Sequence, residues 1–335
     1  HRKDSIFRNC NPKKCCILLL NYLLTMTKNS LFSKKMQNLR IYKYIDKIAQ
    51  TGSIRQAAEQ LYITPSALNR RLLALEQELG VKVFERLGRG VRLSTAGELF
   101  IDHIRKHLSE TETLKSQIED LSGLRRGHVT IACTQAALPF FIPNEIQKYQ
   151  KKFPQVNFSV LNKDGTEAAI ALLNHTADIA LVFDQLRQSD FQTASAIPQS
   201  VHAIMAKNHY LASKSQVSIS ECLNYPLALP TQKYGLRKTL ENIFDKLLTR
   251  ITPTIEADSY VFLQNYISNS NAIGFELEIG MPQKNSNGLI SRPVKLPQDT
   301  SVLIYINHLR SRNLPIAASK FALQLADTLQ NLEDV

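Results

Sequence analysis

A chain of 335 residues, 44% of them hydrophobic and 21% charged, is too long for one small module, so two or three domains with ordinary cores are expected. The net charge of +12 comes from the first 93 residues, because residues 94–335 carry equal numbers of basic and acidic side chains. An anionic partner is therefore predicted for the N-terminal part alone. Five scattered cysteines exclude a disulfide framework and favour a reducing, cytoplasmic location.

Residues 1–35 differ from the rest of the chain in composition. They carry 8 basic residues and 1 acidic residue around a ten-residue apolar run, 15–24, which is too short to span a bilayer. No small-residue cleavage site follows the run. We expect this stretch to be a non-native or disordered extension, with Met36 as the better natural start.

The stretch from Ser53 to Glu76 reads as two helices separated by a tight turn. Ser53 is a good N-cap for the first helix, and Thr64 and Pro65 open the second as N-cap and first helical residue. An apolar helix before them, from about residue 38 to 50, would support the pair. This arrangement is typical of a helix-turn-helix, whose second helix enters the major groove of double-stranded DNA.

The alternative is a helical hairpin buried in a core, and the polar side chains of the second helix argue against it. The residues predicted to face DNA are Thr64, Pro65, Ser66, Asn69, Arg70 and Arg71. Asparagine can pair bidentately with adenine, and arginine with guanine or phosphate.

Two short β-prone runs around the turn 87–90 follow, and they predict a hairpin. Arg86, Arg89 and Arg92 make this hairpin basic. Such a wing would contact phosphates or the minor groove, which positions the protein on DNA more than it selects sequence.

Residues 39–100 resemble the winged-helix domain of LysR-type transcriptional regulators. The resemblance is carried by the runs TGS (51–53), AA (57–58), TPSALNR (64–70), ELG (78–80), FER (84–86) and STAG (94–97). It implies base contacts at Pro65, Ser66, Asn69 and Arg70, with Arg86 in the wing. Asn69 replaces the family's usual Ser, and Arg71 stands where Gln is common, so no operator sequence can be carried over.

A helix predicted from Thr95 to about Leu121 has an apolar face with a 4-3 spacing, interrupted by His107, which suits pairing with an identical helix. The residues predicted to lie in that seam are Phe100, Ile104, Thr111, Leu114, Ile118 and Leu121. The resemblance likewise implies a homodimer, commonly a homotetramer, and an operator with inverted half-sites. His103 and His107 have a spacing that zinc can use, but no third ligand lies nearby, so no metal is predicted.

Strands alternate with helices from residue 128 to the end, which predicts βαβ units and an α/β fold. This resembles the two-lobed, periplasmic-binding-protein-like effector domain of the same family. The predicted domains are thus 36–93 (winged helix-turn-helix), 94–122 (linker helix) and 128–335. Within the last, lobe 1 comprises 128–184 and 307–335, and lobe 2 comprises 185–306.

Ligands of such sheets bind at the carboxyl ends of strands, next to helix N-termini. The residues selected by this rule are Thr134, Gln135, Gly165 and Thr166 in lobe 1, and His202 and Thr231 in lobe 2. Their hydroxyls and amides suit a carboxylate or another small anion. The alternative is that Thr134 and Thr166 only cap their helices.

A ligand-responsive transcriptional regulator accounts for the basic winged helix, the seam helix and the neutral two-lobed remainder together. An architectural DNA-binding protein without a ligand is the alternative. An enzyme with a DNA anchor has less support, because the sequence contains no metal cluster, phosphate loop or nucleophile–base set. No cofactor and no membrane attachment are predicted.

Overall fold

A computed structural model describes residues 39–121, 126–183, 185–186, 189–246, 251–281, 288–296 and 302–331. The predicted extension 1–35 and its boundary at Met36 lie outside these ranges. The chain divides into two compact units between Leu108 and Ser109. Each unit is described by itself below.

The first unit is a three-helix core with a two-stranded hairpin. Its elements are helix α1 (39–51), α2 (Ile54–Gln60), α3 (Pro65–Leu79), strands β1 (Phe84–Arg86) and β2 (Val91–Leu93), and the start of α4 (Thr95–Leu121). Ala58 of α2 and Leu68 of α3 are fully buried, which lets the two helices pack closely. The core is completed by Ile45, Ile48, Leu72, Val83, Phe84, Ile101 and Ile104.

The helix ends follow the predicted capping residues. The Ser53 hydroxyl accepts a hydrogen bond from the Gln56 amide, and the Thr64 hydroxyl accepts one from the Ala67 amide, both at 3.3 Å. Gly80 ends α3 with a φ of 71°, the left-handed conformation that glycine adopts without steric cost. Helix α4 begins at Thr95 as predicted, and its cap is Ser94, whose hydroxyl accepts from the Gly97 amide at 2.9 Å.

Gly97, in the first turn of α4, lies against the backbone that leads into the wing. A Cβ at this position would come within 2.0 Å of the Val83 carbonyl oxygen. The Ser94 amide donates to that same carbonyl oxygen at 3.0 Å, and this hydrogen bond fixes the Val83 backbone against Gly97. Glycine at position 97 is therefore required by packing.

Gly97→Ala is expected to destabilise the protein, although alanine is favoured over glycine within a helix by about 1 kcal/mol. The backbone of Val83 cannot retreat without breaking its hydrogen bond, so we expect a net loss of about 1–3 kcal/mol in urea unfolding. Gly88→Ala, where a Cβ meets nothing within 4 Å, is the control and should be near neutral. A Gly97→Ala variant as stable as the parent would contradict this packing.

The second unit begins within α4 and consists of alternating strands and helices. The strands are β3 (Gly127–Cys133), β4 (Val156–Asn162), β5 (Ile179–Val182), β6 (Phe191–Gln199), β7 (Val201–Ala206), β8 (Val217–Ser218), β9 (Ala228–Pro230), β10 (Ile255–Ala257), β11 (Gly274–Leu277), β12 (Leu289–Lys295) and β13 (Val302–Leu309). The helices are α5 (Phe141–Lys152), α6 (Gly165–Leu173), α7 (Ile219–Cys222), α8 (Gly235–Lys246), α9 (Tyr260–Ser268) and α10 (Ile316–Gln330).

These strands form two sheets, one in each lobe. The sheet of lobe 1 has the order β4-β3-β5-β13-β6; β4, β3 and β5 are parallel, and β13 is antiparallel to both neighbours. The sheet of lobe 2 has the order β11-β7-β12-β8, and the parallel pair β9 and β10 joins it through a bridge between Leu227 and Ile273. The predicted two-lobed α/β architecture is confirmed.

The chain crosses between the lobes at other residues than expected. Strands β6 and β13 pair from Phe191↔Leu309 to Gln199↔Val302, so both belong to lobe 1. The outward crossing therefore falls at Ser200, and the return falls between β12 and β13. This corrects the predicted crossings at 184 and 307, of which Asp184 itself lies outside the described residues. Strand β6 was missed because Pro198 interrupts its pattern, and proline is tolerated there because β6 is an edge strand.

The central strands of lobe 1 are completely covered by helices. Ile131, Ile179 and Leu181 are fully buried, and Phe321 of α10 packs edge-to-face on Tyr149 of α5 at 5.4 Å between ring centroids. Near-continuous burial is what parallel strands with helices on both faces require. Among the described residues, no helix is both long enough and apolar enough to cross a membrane.

Candidate functional site

One face of α3 is polar and exposed while the opposite face is buried. Thr64, Pro65, Ser66 and Arg70 are exposed, whereas Leu68 and Leu72 lie in the core. Arg70 makes no hydrogen bond or ion pair with any residue of the described part of the chain. The predicted reading face of α3 is therefore available to a partner.

Asn69 of α3 is joined to the wing by a hydrogen bond. The Arg86 guanidinium donates from Nη2 to Asn69 Oδ1 at 3.0 Å. Because a guanidinium can only donate, this contact fixes which way round the Asn69 amide lies. The Nδ2 donor of Asn69 remains for a base, and Oδ1 keeps a second lone pair, so bidentate pairing with adenine is compatible with the contact to Arg86.

The other predicted DNA-contacting arginines have different surroundings. The guanidinium carbon of Arg71 lies over the Tyr44 ring of α1, 4.9 Å from its centroid, a cation–π contact that gives Arg71 a partner inside the protein. Arg92 forms an ion pair with Glu85 on the neighbouring strand at 2.7 Å. Arg89, at the exposed tip of the wing, has no such partner among the described residues.

Glu76, on the buried side of α3, attaches the wing to the recognition helix. It is 6% exposed, and its Oε1 accepts from the Val83 amide at 2.8 Å and from the Phe84 amide at 3.1 Å. Lys82 pairs with its other oxygen at 3.2 Å. Glu76 is not among the residues predicted from the sequence. An acidic residue on the apolar side of a predicted helix could have indicated its structural role.

The predicted seam of α4 is corrected at its N-terminal end. Ile104 is fully buried in the core of its own DNA-binding unit, and Phe100 packs edge-to-face on Tyr42 at 6.2 Å, so these two residues serve the monomer. Thr111 is partly covered, and the side chain of Leu121 lies outside the described residues. The apolar side chains that α4 exposes are Leu99 (76%), Leu114 (56%) and Ile118 (54%).

The two histidines of α4 contact each other as rings. His103 and His107 are T-shaped with centroids 4.8 Å apart, and His107 lies 6.3 Å from the Tyr42 ring. Within the described ranges, no group of three His, Cys, Asp or Glu residues is placed to hold a metal ion.

In the second unit, Thr134 at the end of β3 contacts an acid at the end of β4. The Thr134 hydroxyl donates to Asp164 Oδ2 at 3.3 Å, and Thr134 is 1% exposed. The same carboxylate oxygen accepts from the Gly235 amide, the first residue of α8 in lobe 2, at 3.2 Å. Thr134 therefore lies where the two lobes meet. The Ala137 amide bonds to its backbone carbonyl, and its hydroxyl caps no helix.

Two further predicted residues converge on Asp258 of lobe 2. Gln135 donates from Nε2 to the Asp258 carbonyl at 3.3 Å, across the cleft. The Thr231 hydroxyl and Lys233 both hydrogen-bond to the Asp258 carboxylate. Lys233, followed by Thr231, lowers the pKa of that carboxyl through these hydrogen bonds. Tyr234 donates its hydroxyl to the Asp258 carbonyl at 2.9 Å.

The remaining predicted ligand residues have varied positions. Gly165 is buried at the start of α6 with a φ of 45°, while Thr166 beside it is exposed. His202 of β7 lies 2.9 Å from the Ser200 hydroxyl, which donates to Glu278 at 2.7 Å. Burial lowers the pKa of His202, against a smaller opposite effect of Glu278. His202 therefore contacts Ser200, the residue at which the chain crosses from lobe 1 to lobe 2.

Two buried titratable residues of lobe 2, Tyr260 and Glu276, are not among the ligand residues predicted from the sequence. Glu276 is 2% exposed, and burial raises its pKa to about 8. Tyr260 is 4% exposed, and its hydroxyl has no hydrogen-bond partner among the described residues. Burial is also the main cause that raises the pKa of Tyr260, with Glu276 and Asp164 adding to it.

Comparison with known protein families assigns both units. Residues 39–98 match the helix-turn-helix of the bacterial regulatory lysR family, and residues 122–330 match the LysR substrate binding domain. The second match alone covers more than half of the chain. This chain belongs to the LysR family of transcriptional regulators. The predicted fold and function, a winged helix-turn-helix regulator with an effector-binding domain, are thereby confirmed.

Individual LysR-family proteins are similar over most of their length. The transcriptional regulator CysB of Burkholderia cenocepacia is 27% identical over 264 residues, which covers 77% of this chain and 83% of the relative. A cysteine variant of full-length OxyR from Pseudomonas aeruginosa superposes with a TM-score of 0.66 at 18% identity, covering 87% of this chain and 94% of that one. CbnR in complex with its target DNA gives a TM-score of 0.53 at 16% identity, covering 87% and 99%.

The two cysteines in the described part of this LysR-family chain are free thiols, and both are buried. Burial raises the pKa of Cys133 and of Cys222 to about 12, so both thiols stay protonated near neutral pH. A thiolate is the reactive form of cysteine. These two residues therefore act as small core side chains.

Proposed function

We propose that this regulator reads its operator with the N-terminal half of α3 and holds the flanking backbone with the wing. The proposed contacts come from Thr64, Pro65, Ser66, Asn69 and Arg70, with Arg86 and Arg89 on the phosphates or in the minor groove. The hydrogen bond between Arg86 and Asn69 carries this proposal, because it joins the wing and the reading face into one surface. Arg71 and Arg92 would have to give up contacts within the protein before binding DNA. Since its target is DNA, the regulator would act in the cytoplasm.

The proposed assembly is a homodimer built on α4. Leu114 and Ile118 are exposed and four residues apart, so they lie on one side of the helix. A helix of 27 residues is roughly 40 Å long, which suits half-sites about one DNA turn apart. An inverted-repeat operator follows from two-fold symmetry. A homotetramer, common in the family, would combine two such dimers.

The proposed switch is a small molecule bound between the lobes of the second unit. Thr134, Gln135 and Thr231 support the location, because their hydrogen bonds to Asp164 and Asp258 line the meeting point of the two lobes. A ligand that binds one arrangement of the lobes more tightly shifts the population toward it. That shift would alter how the paired DNA-binding units are spaced and so which operators are occupied.

Selection from a random DNA library, followed by a thermal-shift screen of metabolites, tests this function. We expect the full-length protein to enrich a sequence with inverted symmetry, and at least one small molecule to raise its melting temperature and change its footprint. Enrichment of an operator without any stabilising ligand would favour an architectural role. No enrichment of a symmetric sequence would contradict the proposed reading by paired α3 helices.

A further inference from the structure

Asp164 reaches across the cleft to the N-terminus of a helix in the other lobe. Helix α8 has 12 residues, and its first amide, on Gly235, donates to Asp164 Oδ2 at 3.2 Å. Tyr234, the residue before it, uses its hydroxyl on the Asp258 carbonyl instead of capping α8. The positive end of the α8 dipole is therefore met by a carboxylate from lobe 1.

The donors around Asp164 Oδ2 form the set that a free carboxylate would use. A helix N-terminal amide and the Thr134 hydroxyl, at 3.3 Å, both point at this one oxygen. Asp164 occupies the N-cap position of its own helix α6, yet its side chain makes no capping hydrogen bond there. Its charge is thus directed across the cleft, into the position where helix N-termini bind anions.

A second observation shows that this region has polar positions still to fill. The Tyr260 hydroxyl, on a residue 4% exposed, has no partner among the described residues and lies within electrostatic range of both Asp164 and Glu276. The Oε1 of Gln135 is likewise buried without a partner there. Buried polar atoms are nearly always hydrogen-bonded in native proteins, so a ligand or water belongs beside them.

The charges nearby disfavour a second anion. Lys163, next to Asp164, pairs with Glu167 at 3.4 Å, and Lys233 pairs with Asp258, so each of these two cations already has a carboxylate. Glu276, whose pKa burial raises to about 8, is mostly protonated near neutral pH and offers no positive charge to an anion either. A carboxylate placed beside Asp164 would meet like charge, which is strongly unfavourable at a partly buried site.

We propose that Asp164 is a tethered anion that fills the carboxylate position at the start of α8. The free ligand of the cleft then presents no carboxylate to that helix, and it uses hydrogen-bond donors, hydroxyl or ammonium groups, toward Gln135 and the acidic side chains. This assignment rests on the proposed effector cleft and replaces the anionic effector that the sequence suggested.

The test removes the tethered carboxylate and supplies a free one. Asp164→Ser keeps a residue that can cap α6 but leaves space for formate at Gly235 and Thr134. We expect the full-length variant to melt about 3–6 °C lower than the parent. Sodium formate should restore at least half of that loss with saturation, while sodium chloride at equal ionic strength should not. Parent protein should show the same response to both salts.

Glu167→Ser is the matched control, because it removes an exposed carboxylate from the same turn of α6 without touching α8. It should gain nothing specific from formate. Saturable stabilisation of the parent protein by formate would overturn the proposal, since the position would then be open to outside anions. So would an Asp164→Ser variant that melts like the parent or that formate does not restore.

If Asp164→Ser cannot be purified folded, Asp164→Asn keeps the side-chain shape without the charge. We expect it to melt below the parent and, because its amide fills the position, to ignore formate; an unchanged melting temperature would overturn the proposal. Operator selection by the parent protein is a separate measurement. Its failure would refute the regulator function, whereas failure of the formate experiment would refute only the role of Asp164.

Discussion

Arg70→Ala is expected to weaken operator binding by about 1–3 kcal/mol, roughly 5–150-fold, and to relax the preference at one base pair of each half-site. Arg70 is exposed on the reading face of α3 and has no partner among the described residues, so its guanidinium is available to a base edge. Fluorescence anisotropy against the selected operator and its single-base variants measures both effects.

Arg89→Ala is the matched comparison for Arg70. At the tip of the wing, Arg89 is placed for phosphate, so its loss should weaken binding to all sequences alike and reduce the salt slope by about one. If Arg70→Ala left affinity and footprint unchanged, the assignment of α3 as the recognition helix would be wrong. If Arg89→Ala changed base preference, the wing would be reading sequence.

Glu76→Ala is expected to lower the free energy of unfolding of the DNA-binding unit by about 2–5 kcal/mol. The substitution strands the buried amides of Val83 and Phe84, which both donate to Glu76 Oε1. Those amides fix where the wing begins, so DNA affinity should fall as well. Urea unfolding followed by circular dichroism, with anisotropy at low denaturant, measures the two losses on the full-length chain.

Two variants separate the hydrogen bonds of Glu76 from a general effect of charge. Glu76→Gln retains an acceptor oxygen and should recover part of the stability. Glu78→Ala removes an exposed acid from the same helix end and should be near neutral. A Glu76→Ala protein with parental stability and affinity would show that the wing is held by packing alone.

The sequence by itself determined the helix-turn-helix and the alternation of strands with helices in the second unit. Ser53, Thr64, Pro65 and Gly80 act on backbone groups within a few residues, so their effect can be read without knowing what else is near. The family resemblance rested on the same local runs. For that reason the DNA-binding unit could be predicted from the sequence. The alternation of strands with helices from residue 128 likewise predicted the class of the effector domain.

The tertiary structure alone decided which partner each ambiguous side chain has. Periodicity placed Ile104 on an apolar face of α4, but only packing showed that this face covers its own core. The sequence predicted that the positively charged Arg71 contacts DNA, whereas the fold places its guanidinium over the Tyr44 ring. Pro198 hid an edge strand, whose pairing with β13 moved both lobe boundaries.

The clearest case is Asp164. In the sequence it is an acid at the start of a helix, where an N-cap role is the natural prediction, yet its side chain makes no capping hydrogen bond there. Its hydrogen bonds to Thr134 and Gly235, about 30 and 70 residues away, form because β3 and β4 end, and α8 begins, at the same cleft. Local signals determine helices and turns through short-range hydrogen bonds. Charge placement between lobes depends on contacts that exist only after the chain has folded.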